Sequence, residues 1–578
     1  MTKSKNTKQS YLAKIISNAT DKQWWLLGVA LIVTVLVYAK VIGYNFLYTW
    51  DDFDYITDNP DVQSLNFENL GKYFSEFYAG NYQPLTLLLY SIEYLFGNGS
   101  AAVFHGVNIF IHIINSYLVF KLIRKLSPQN NFVALFTAAF FAIHPMHIES
   151  VAWISEFKDV LYSFFFLRGL ILYMNFLQMK EVKMLVSIFI FFLLSCLSKS
   201  AAVVFPLVLI LFDYYTGRKF TLRVIVEKIP FLIISLIFGV VAMYSQKGAI
   251  KELAPVMTIV EQISVISFSF CSYILKIFVP LSLSAYYLYP SEIGHSALPI
   301  WYYLSIPLVI GLFIGVGYSI RRNKHLIFGF LFFLINIILV LQIIPVGGAS
   351  MADRYSYIPS IGLLFVAGIG ISHLLTLPKL KQYSKSVVSM IVILFFAFAL
   401  LANNRTTVWA NDEILFTDVI EKYPDCYVAY SIRGLCKNLA GDYQGAISDE
   451  TKAIELNPQY LKAYNLRAGV KYATGDFKGA LTDYEFVLKN GTKDVDGYSN
   501  CGALKSALSD FQGALADFNI AISLNPTLAD SYFKRSIVYY NMENYPAALN
   551  DLNKAIELKP DFKDAIQSRN EIMALLNK

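Results

Sequence analysis

Charged residues are scarce in this sequence, at 16% against 56% hydrophobic residues, whereas a soluble domain has about 25% charged residues. This scarcity excludes an ordinary soluble globular protein and favours a chain that lies largely in lipid. The few cysteines contain no Cys-x-x-Cys pair and no spacing typical of zinc ligands. They are Cys196, Cys271, Cys426, Cys436 and Cys501. The sequence has no glycine-rich phosphate loop, and most of the net charge of +6 lies in short loops, so nucleic-acid binding is not indicated.

Apolar residues are concentrated between residues 24 and 402, in runs close to the roughly 20 residues that cross a bilayer. We predict eleven spans, at 24–42, 103–122, 131–145, 157–178, 183–198, 201–216, 229–246, 299–320, 326–345, 358–378 and 385–402. Lysine and arginine clusters at the N-terminus and in the later turns of one side place the N-terminus in the cytoplasm. The first apolar segment lacks a small-residue cleavage site and is interpreted as a span rather than a signal peptide. Residues 1–23 are then a cytoplasmic tail, and residues 24–402 form the membrane domain.

Residues 258–280 are apolar enough to span as well, but counting them would move two basic loops to the outside. We therefore predict that this segment is a re-entrant or interfacial helix. With eleven spans, the C-terminal part of the chain lies outside the cytoplasm.

The C-terminal part repeats every 34 residues, as shown by the tyrosines Tyr430, Tyr464, Tyr498 and Tyr532. This period, with helix–turn–helix patterning, is typical of tetratricopeptide (TPR) repeats. We predict a linker and leading helix at 403–424, repeats at 425–458, 459–492, 493–526 and 527–560, and a capping helix at 561–578. Four repeats are enough to form a short groove that binds a protein or peptide. Arg433, Arg467 and Arg535 are either structural or ligand-facing.

Polar residues gather at the predicted outer ends of the spans. They are Asp51 and Asp52 after the first span, His105 at the start of the second, His144, His147 and Glu149 after the third, and then Lys158, Asp159, Lys199, Asp353 and Arg354. Ionisable groups at membrane depth are costly and usually functional, although acids just outside a span can also form a solvated loop. The spacing of His144, His147 and Glu149 resembles that of metal ligands, but hydrogen bonding to a phosphate or sugar is the favoured interpretation. Aromatic residues in these loops either stack on sugars or form the belt at headgroup level.

Several of these segments, in this order, resemble one known family. The strings are WDDFDYITDNPDV, YQPLTLLLY, FHGVNIFIH, FAIHPMHIESVAWISEFKDVL, LSKSAAVVFPLVLILFDYY and ADRYSYIPSIG, followed by the repeats. The chain resembles the transmembrane and TPR-repeat-containing O-mannosyltransferases and their bacterial relatives. The resemblance implies an all-α fold of the GT-C class of membrane glycosyltransferases, followed by a TPR solenoid. It also implies a polyprenyl- or dolichyl-phosphate-linked sugar as donor, with mannose favoured.

Within this resemblance, Asp51 or Asp52 matches the acidic motif of the family and is expected to act as the catalytic base. Lys158, Lys199 and Arg354 are expected to stabilise the departing lipid phosphate. His105, His144, His147 and Glu149 are expected to contact the donor, and the last three are candidates for binding a divalent metal. No cofactor is certain.

The expected function is transfer of a sugar to an acceptor hydroxyl, preferably on a protein, at the outer membrane face, with the repeats binding the acceptor or a partner. A lipid or solute transporter would carry its polar residues near the midplane of the membrane, and a membrane-anchored scaffold would need only the repeats. The short repeat array favours a bacterial cytoplasmic membrane over an endoplasmic reticulum membrane.

Overall fold

A computed structural model describes residues 19–247, 257–289, 298–344, 348–491 and 493–576. The chain divides into two compact units, Met1–Lys422 and Tyr423–Lys578. Both units are built from helices, and the described residues contain one two-stranded sheet, in which β1 (Tyr287–Leu288) pairs antiparallel with β2 (Ala349–Met351). The prediction of an all-α membrane domain followed by a TPR solenoid is therefore confirmed. Most of the predicted cytoplasmic tail lies outside the described residues.

The first unit contains long apolar helices joined by short helices and turns. In chain order its α-helices are α1 (Ala19–Tyr38), α2 (Pro60–Gln63), α3 (Phe67–Ser75), α4 (Pro84–Gly97), α5 (Ala101–Leu126), α6 (Asn131–Ala142), α7 (Ile148–Ala152), α8 (Phe157–Met179) and α9 (Lys183–Ser198). They continue with α10 (Phe205–Thr216), α11 (Leu222–Val226), α12 (Ile229–Ser245), α13 (Ile259–Phe278), α14 (Ile300–Tyr318), α15 (Lys324–Ile337), α16 (Ser360–Thr376), α17 (Ser384–Thr407) and α18 (Asp412–Lys422).

Seven helical segments among the described residues are long and apolar enough to cross a membrane, which indicates a multi-pass membrane protein. They are Gln23–Gly43, Ala101–Leu126, Ile154–Met179, Leu222–Ser245, Ile259–Phe278, Ile300–Tyr318 and Lys381–Thr407. The pair Asn131–Ala142 and Pro145–Ala152, bent by 49°, would make an eighth if it forms one span.

The predicted count of eleven spans differs from these seven or eight for two reasons. Four of the predicted spans are helices of only 10–17 residues. For example, the 12 residues of α10 measure about 18 Å at 1.5 Å per residue, well short of a hydrocarbon core of about 30 Å.

The second reason is the segment at 258–280, which the sequence analysis predicts as a re-entrant or interfacial helix and does not count as a span. Its α13 is one continuous helix of 20 residues, closed at its N-terminus by a capping box between Thr258 and Glu261. It is therefore not the broken segment expected of a re-entrant loop, and it meets the same length and composition criteria as the other six spans. The interfacial alternative stays a prediction.

In the second unit, the residues that the structure describes form four helix pairs and a final helix. The pairs are α19 (Tyr427–Leu439) with α20 (Tyr443–Leu456), α21 (Leu461–Ala473) with α22 (Phe477–Asn490), α23 (Val495–Ala507) with α24 (Phe511–Leu524), and α25 (Ala529–Asn541) with α26 (Tyr545–Leu558), and α27 (Lys563–Leu576) follows. Small buried residues such as Ala446 and Ala480 let the helices of a pair approach closely.

Each of the three arginines of the repeats binds an aspartate of its own helix pair, and Arg467 and Arg535 also donate to Thr451 and Asn519 of the preceding pair. Arg433 donates from Nε to Asp449 over 2.8 Å and from Nη2 over 2.7 Å, and the same bidentate geometry joins Arg467 to Asp483. Arg535 binds Asp551 at 2.7 Å in the fourth pair. Of the two interpretations left open by the sequence, these contacts support the structural one.

Candidate active site at the ends of the membrane helices

The loop after the first membrane helix is fixed by the carboxylate of Asp52. One oxygen accepts a hydrogen bond from the backbone N–H of Leu47 at 2.9 Å, and the other accepts from the N–H of Ser155 at 2.9 Å and from its hydroxyl. Asp52 is 1% exposed. Burial raises its pKa to about 7, although the donated hydrogen bonds act in the opposite direction. Asp52 therefore joins the first loop to the turn before α8, and both of its carboxylate oxygens already accept hydrogen bonds from the chain.

The neighbouring Asp51 is in a different environment. Its side chain is 33% exposed, and one carboxylate oxygen lies 3.7 Å from the ammonium nitrogen of Lys158. A π-helical turn, Phe53–Thr57, follows directly, and such turns are frequent at functional sites. Of the two aspartates predicted as catalytic bases, the structure leaves Asp51 accessible to a substrate hydroxyl and buries Asp52.

Glu156 is the centre of a buried ionic cluster. Its carboxylate lies 3.2 Å from Nζ of Lys158, 3.4 Å from Nζ of Lys199 and 3.3 Å from Nε of Arg354. Each cation binds a second carboxylate: Lys158 that of Asp51, Lys199 that of Asp159 and Arg354 that of Glu149. We refer to these seven residues as the ionic cluster. Its three cations and four carboxylates come from four separate segments of the chain.

The electrostatics of the ionic cluster keep its cations charged. Burial alone would lower the pKa of Lys199, but the nearby carboxylates of Asp159 and Glu156 outweigh it and raise that pKa above its usual value. The side chain of Lys199 is 19% exposed and that of Arg354 is 18% exposed. The cluster therefore offers partly accessible cations at the ends of membrane helices. Its four carboxylates outnumber its three cations, so an anionic substrate group binds these cations only by displacing a carboxylate.

Polar side chains of neighbouring helices hold the backbone that carries the cluster. From α5, the amide of Asn108 donates to the carbonyls of Val151 and Trp153 at 3.4 and 3.3 Å, and that of Asn115 donates to the carbonyl of Val160 at 2.8 Å. From α4, the hydroxyl of Tyr90 donates to the carbonyl of Ile154 at 3.1 Å. The turn of Lys199 is fixed in the same way, since the hydroxyl of Thr86 donates to the carbonyl of Ser198 at 3.0 Å.

Aromatic rings surround the ionic cluster. The ring centroids of Trp50 and Trp153 lie 4.2 Å apart, and Trp409 stacks on Trp153 at 5.7 Å. The guanidinium of Arg354 lies 5.5 Å from the ring centroid of Trp153 and 4.9 Å from that of Tyr355. These cation–π contacts orient the arginine. Trp50 and Trp153 therefore serve packing within the chain, besides any contact with a sugar.

The three residues considered as metal ligands do not converge on one point. Both ring nitrogens of His144 form hydrogen bonds, with the carbonyl of Ile277 at 2.8 Å and the N–H of Met146 at 3.2 Å. His147 bonds the carbonyl of Phe141 at 2.8 Å and the hydroxyl of Ser360 at 3.1 Å. Glu149 binds Arg354, and the described residues contain no group of three potential ligands. In the described residues these three groups therefore do not form a metal site, because backbone groups, a serine hydroxyl and an arginine already bind them. Their favoured role, contact with the donor, stays a prediction.

The two histidines and His105 are buried in the packing of the helices. The ring centroids of His144 and His147 lie 5.1 Å apart, and His147 packs on Tyr357 at 4.8 Å. His105, which is 1% exposed, lies edge-on to Tyr44 at 6.5 Å, beneath the turn that follows the first membrane helix. The structure thus brings Asp51, Glu149, Lys158, Lys199 and Arg354 together, and it leaves the three histidines outside the ionic cluster.

The sequence-based selection of site residues missed Glu156. The signal was present, since Glu156, Lys158 and Asp159 put three charges within four residues at the start of an apolar run. The central role of Glu156 depends on the 3-10 turn Ile154–Glu156, which directs its side chain inwards.

Comparison with known proteins gives several relatives and one matching family model. The model, tetratricopeptide repeat, matches residues 529–562. The protein O-mannosyl-transferase F38B6.6 of Caenorhabditis elegans is 28% identical over 25% of this chain and 22% of its own length. The protein O-mannosyl-transferase TMTC1 of Homo sapiens is 29% identical over 24% of this chain and 16% of its own, and TMTC4 of Homo sapiens is 28% identical over 28% and 24%. The matched segments thus span less than a quarter of the length of these relatives.

Among solved structures, the crystal structure of MamA is 25% identical and covers 25% of this chain and 84% of that chain, with a TM-score of 0.24. The crystal structure of YrrB, a TPR protein with an unusual peptide-binding site, is 21% identical and covers 27% of this chain and 97% of that chain, with a TM-score of 0.19. TM-scores this low carry no functional conclusion. The sequence relatives and the repeat model confirm the resemblance drawn from the motifs: this chain is similar to the transmembrane, TPR-containing protein O-mannosyl-transferases.

Proposed function

We propose that this chain is an integral-membrane glycosyltransferase of the GT-C class that transfers a sugar from a polyprenyl-phosphate-linked donor to an acceptor hydroxyl. Mannose is the favoured sugar, and a hydroxyl of a protein at the outer membrane face is the favoured acceptor. The observation that carries the proposal is the accessible carboxylate of Asp51, 3.7 Å from Lys158 within a cluster that also contains Lys199 and Arg354. The names of the relatives, protein O-mannosyl-transferases, support the same reaction class.

The arrangement supplies the two groups that the transfer requires. Asp51 takes the proton of the acceptor hydroxyl as that oxygen forms a bond to the anomeric carbon of the sugar. The bond from the anomeric carbon to the phosphate oxygen breaks, and its electron pair leaves with the lipid phosphate. Lys158, Lys199 and Arg354 stabilise the negative charge that develops on this leaving group. Because the nucleophile and leaving group act from opposite sides, the configuration at the anomeric carbon inverts.

Substitution of Asp51 tests the assignment directly. Asp51→Asn keeps the shape of the side chain but removes the proton acceptor, so we expect the transfer rate to fall by at least about 100-fold. The measurement is the transfer of radiolabelled mannose from polyprenyl-phosphate mannose in membranes that contain equal amounts of each variant. Asp58→Asn is the matched control, since Asp58 is an exposed carboxylate in the same loop. Full activity of Asp51→Asn would remove the catalytic assignment.

We propose further that the TPR unit presents the acceptor protein to the membrane unit. The contact boundary at Lys422 and Tyr423 defines a deletion of residues 423–578 that leaves α18 in the membrane unit. We expect this deletion to abolish mannosylation of proteins, measured by mass spectrometry of envelope proteins, and to spare transfer to a small acceptor alcohol. Equal loss with both acceptors would contradict a role of the repeats in acceptor binding.

A further inference from the structure

A polar cavity lies in the membrane unit, lined by residues other than those of the ionic cluster. It has a volume of about 230 Å³ and lies between the end of α17, the helix α18 and the turn at residues 280–283. Its polar lining includes Arg405, Asp418, Lys422, Asn404 and Ser282. None of these residues belongs to the ionic cluster, and the proposed glycosyl transfer makes no use of them.

Arg405 is the central residue of this cavity. It is 8% exposed, and its Nη1 binds a carboxylate oxygen of Asp418 at 2.6 Å. Its Nη2 is buried and has no hydrogen-bond partner among the described residues. A buried guanidinium nitrogen without an acceptor is costly, so an acceptor oxygen that reaches Nη2 through the cavity would satisfy it.

The charges that face the cavity favour an anion. Lys422 lies beside Arg405, and its Nζ is 2.5 Å from Asp418 and 2.7 Å from the carbonyl of Leu283. Lys276 donates to the carbonyls of Leu281 and Ser282 at 3.2 and 2.8 Å, on the turn that forms one wall. The charged residues that line the cavity are Arg405, Lys422 and Asp418. Lys276 and Asp353 lie behind this lining, and Asp353 is within the electrostatic influence of Arg405 and both lysines. The charged groups around the cavity therefore carry a net charge of +1.

The apolar surface beside the cavity indicates the source of the anion. Leu281 on the turn is 56% exposed, and Leu400 on α17 is 62% exposed. Helix α17 is a candidate membrane span whose last turn contains Arg405. A basic pocket directly beyond the apolar surface of a membrane helix lies at the level of lipid headgroups.

We propose that this cavity binds the phosphate group of an anionic membrane phospholipid, with Arg405 Nη2 donating to a phosphate oxygen and Lys422 contributing the second positive charge. The acyl chains of the lipid extend along the exposed apolar face of α17. The site is separate from the one that receives the glycosyl donor, so it does not depend on the proposed transferase activity.

The test uses the full chain in nanodiscs of phosphatidylcholine with increasing fractions of phosphatidylglycerol, and it counts retained lipids by native mass spectrometry. We expect wild type to retain phosphatidylglycerol at least about tenfold more strongly than Arg405→Gln, because a charge-assisted hydrogen bond to a phosphate is lost. Arg405→Lys, which keeps the charge, should retain an intermediate affinity. Arg322→Gln is the matched control, since Arg322 is an exposed arginine just beyond the end of another apolar helix, α14; it should behave as wild type.

Two results would overturn the proposal. Equal loss of phosphatidylglycerol in Arg405→Gln and Arg322→Gln would mean that only general surface charge attracts the lipid. Displacement of the lipid by millimolar inorganic phosphate at constant ionic strength would mean that a free phosphate, not a lipid headgroup, is the ligand. Melting temperatures of all variants, measured without anionic lipid, show whether Arg405→Gln is folded. If Arg405→Gln does not fold, the comparison of Arg405→Lys with wild type tests the proposal.

Discussion

Substitution of Glu156 by glutamine should destabilise the membrane unit more than any exposed charge change. The carboxylate of Glu156 is 2% exposed and lies within 3.2 to 3.4 Å of three cations. Removal of one partner of a buried ionic contact costs about 3–5 kcal/mol, because it leaves the opposite charge without compensation. Here each cation keeps one other carboxylate, so the lower end of that range, about 3 kcal/mol, is the expected loss.

The measurement is the melting temperature of the full chain in detergent, followed by tryptophan fluorescence because Trp153 contacts Arg354 of the ionic cluster and Trp50 and Trp409 pack on Trp153. A loss of about 3 kcal/mol corresponds to a decrease of roughly 5 °C in a large unit. Glu181→Gln is the matched control, since Glu181 pairs with Lys183 at 3.0 Å but is 38% exposed, and exposed pairs contribute about 0–1 kcal/mol. A melting temperature of Glu156→Gln within 1 °C of wild type would refute the central role of this carboxylate.

Two further predictions concern Asp52 and the first repeat. The folded-state pKa of Asp52, about 7, lies above the ordinary value of about 4, so its contribution to stability is complete below pH 4 and is lost as the pH rises to 7. The difference between these two pKa values corresponds to about 4 kcal/mol of folding free energy. The melting temperature of wild type should therefore decrease between pH 4.5 and pH 7.5, and Asp52→Asn should flatten this decrease. An unchanged slope would contradict this. Gly434→Ala should lower the stability of the TPR unit by about 1–3 kcal/mol, because the added Cβ would lie 2.7 Å from Oε1 and 3.2 Å from Cγ of Glu450, a side chain that is 0% exposed. Calorimetry of the variant measures this loss, and Gly441→Asn, at an open turn with φ of +83°, serves as a milder comparison.

The repeats were predictable from the sequence because each helix pair is specified locally. The 34-residue period fixes which small residues and which tyrosines recur, and neighbouring pairs then bury one continuous core. The arginines show what the 34-residue period does not specify. Their spacing gives a repeated position, but only the structure shows that Arg433 and Arg467 bind aspartates 16 residues further along.

The membrane helices were predictable in position but not in number. An apolar run shows that a segment lies in lipid or in a protein core, and the two cases have the same composition. Helix α10 ends after 12 residues at a glycine with a positive φ of 74°, Gly217. A hydropathy pattern does not give such an end point. It also does not show that α13 is one unbroken helix over the segment predicted to be re-entrant or interfacial.

The candidate site, like the membrane helices, was predictable from the sequence only in part. The sequence brought Asp51, Lys158, Lys199 and Arg354 to one region, because each lies at the end of an apolar run. It did not separate Asp51 from Asp52, since the difference is the burial of one side chain against the backbone of Ser155. Nor does the spacing of His144 and His147 show their hydrogen-bond partners, which are the carbonyl of Ile277 from a distant segment and the carbonyl of the nearby Phe141.

Within the ionic cluster, the contact between Asp51 and Lys158 is the longest. At 3.7 Å it lies beyond hydrogen-bond distance, whereas Lys158 is 3.2 Å from Glu156. The cluster contains one carboxylate more than it has cations, and Asp51 is its most exposed carboxylate. Under the proposed function, a donor phosphate that approaches Lys158 therefore competes first with Asp51. Displacement of Asp51 from the lysine frees its carboxylate to accept the proton of the acceptor hydroxyl, so binding of the donor and readiness of the base are coupled through Lys158.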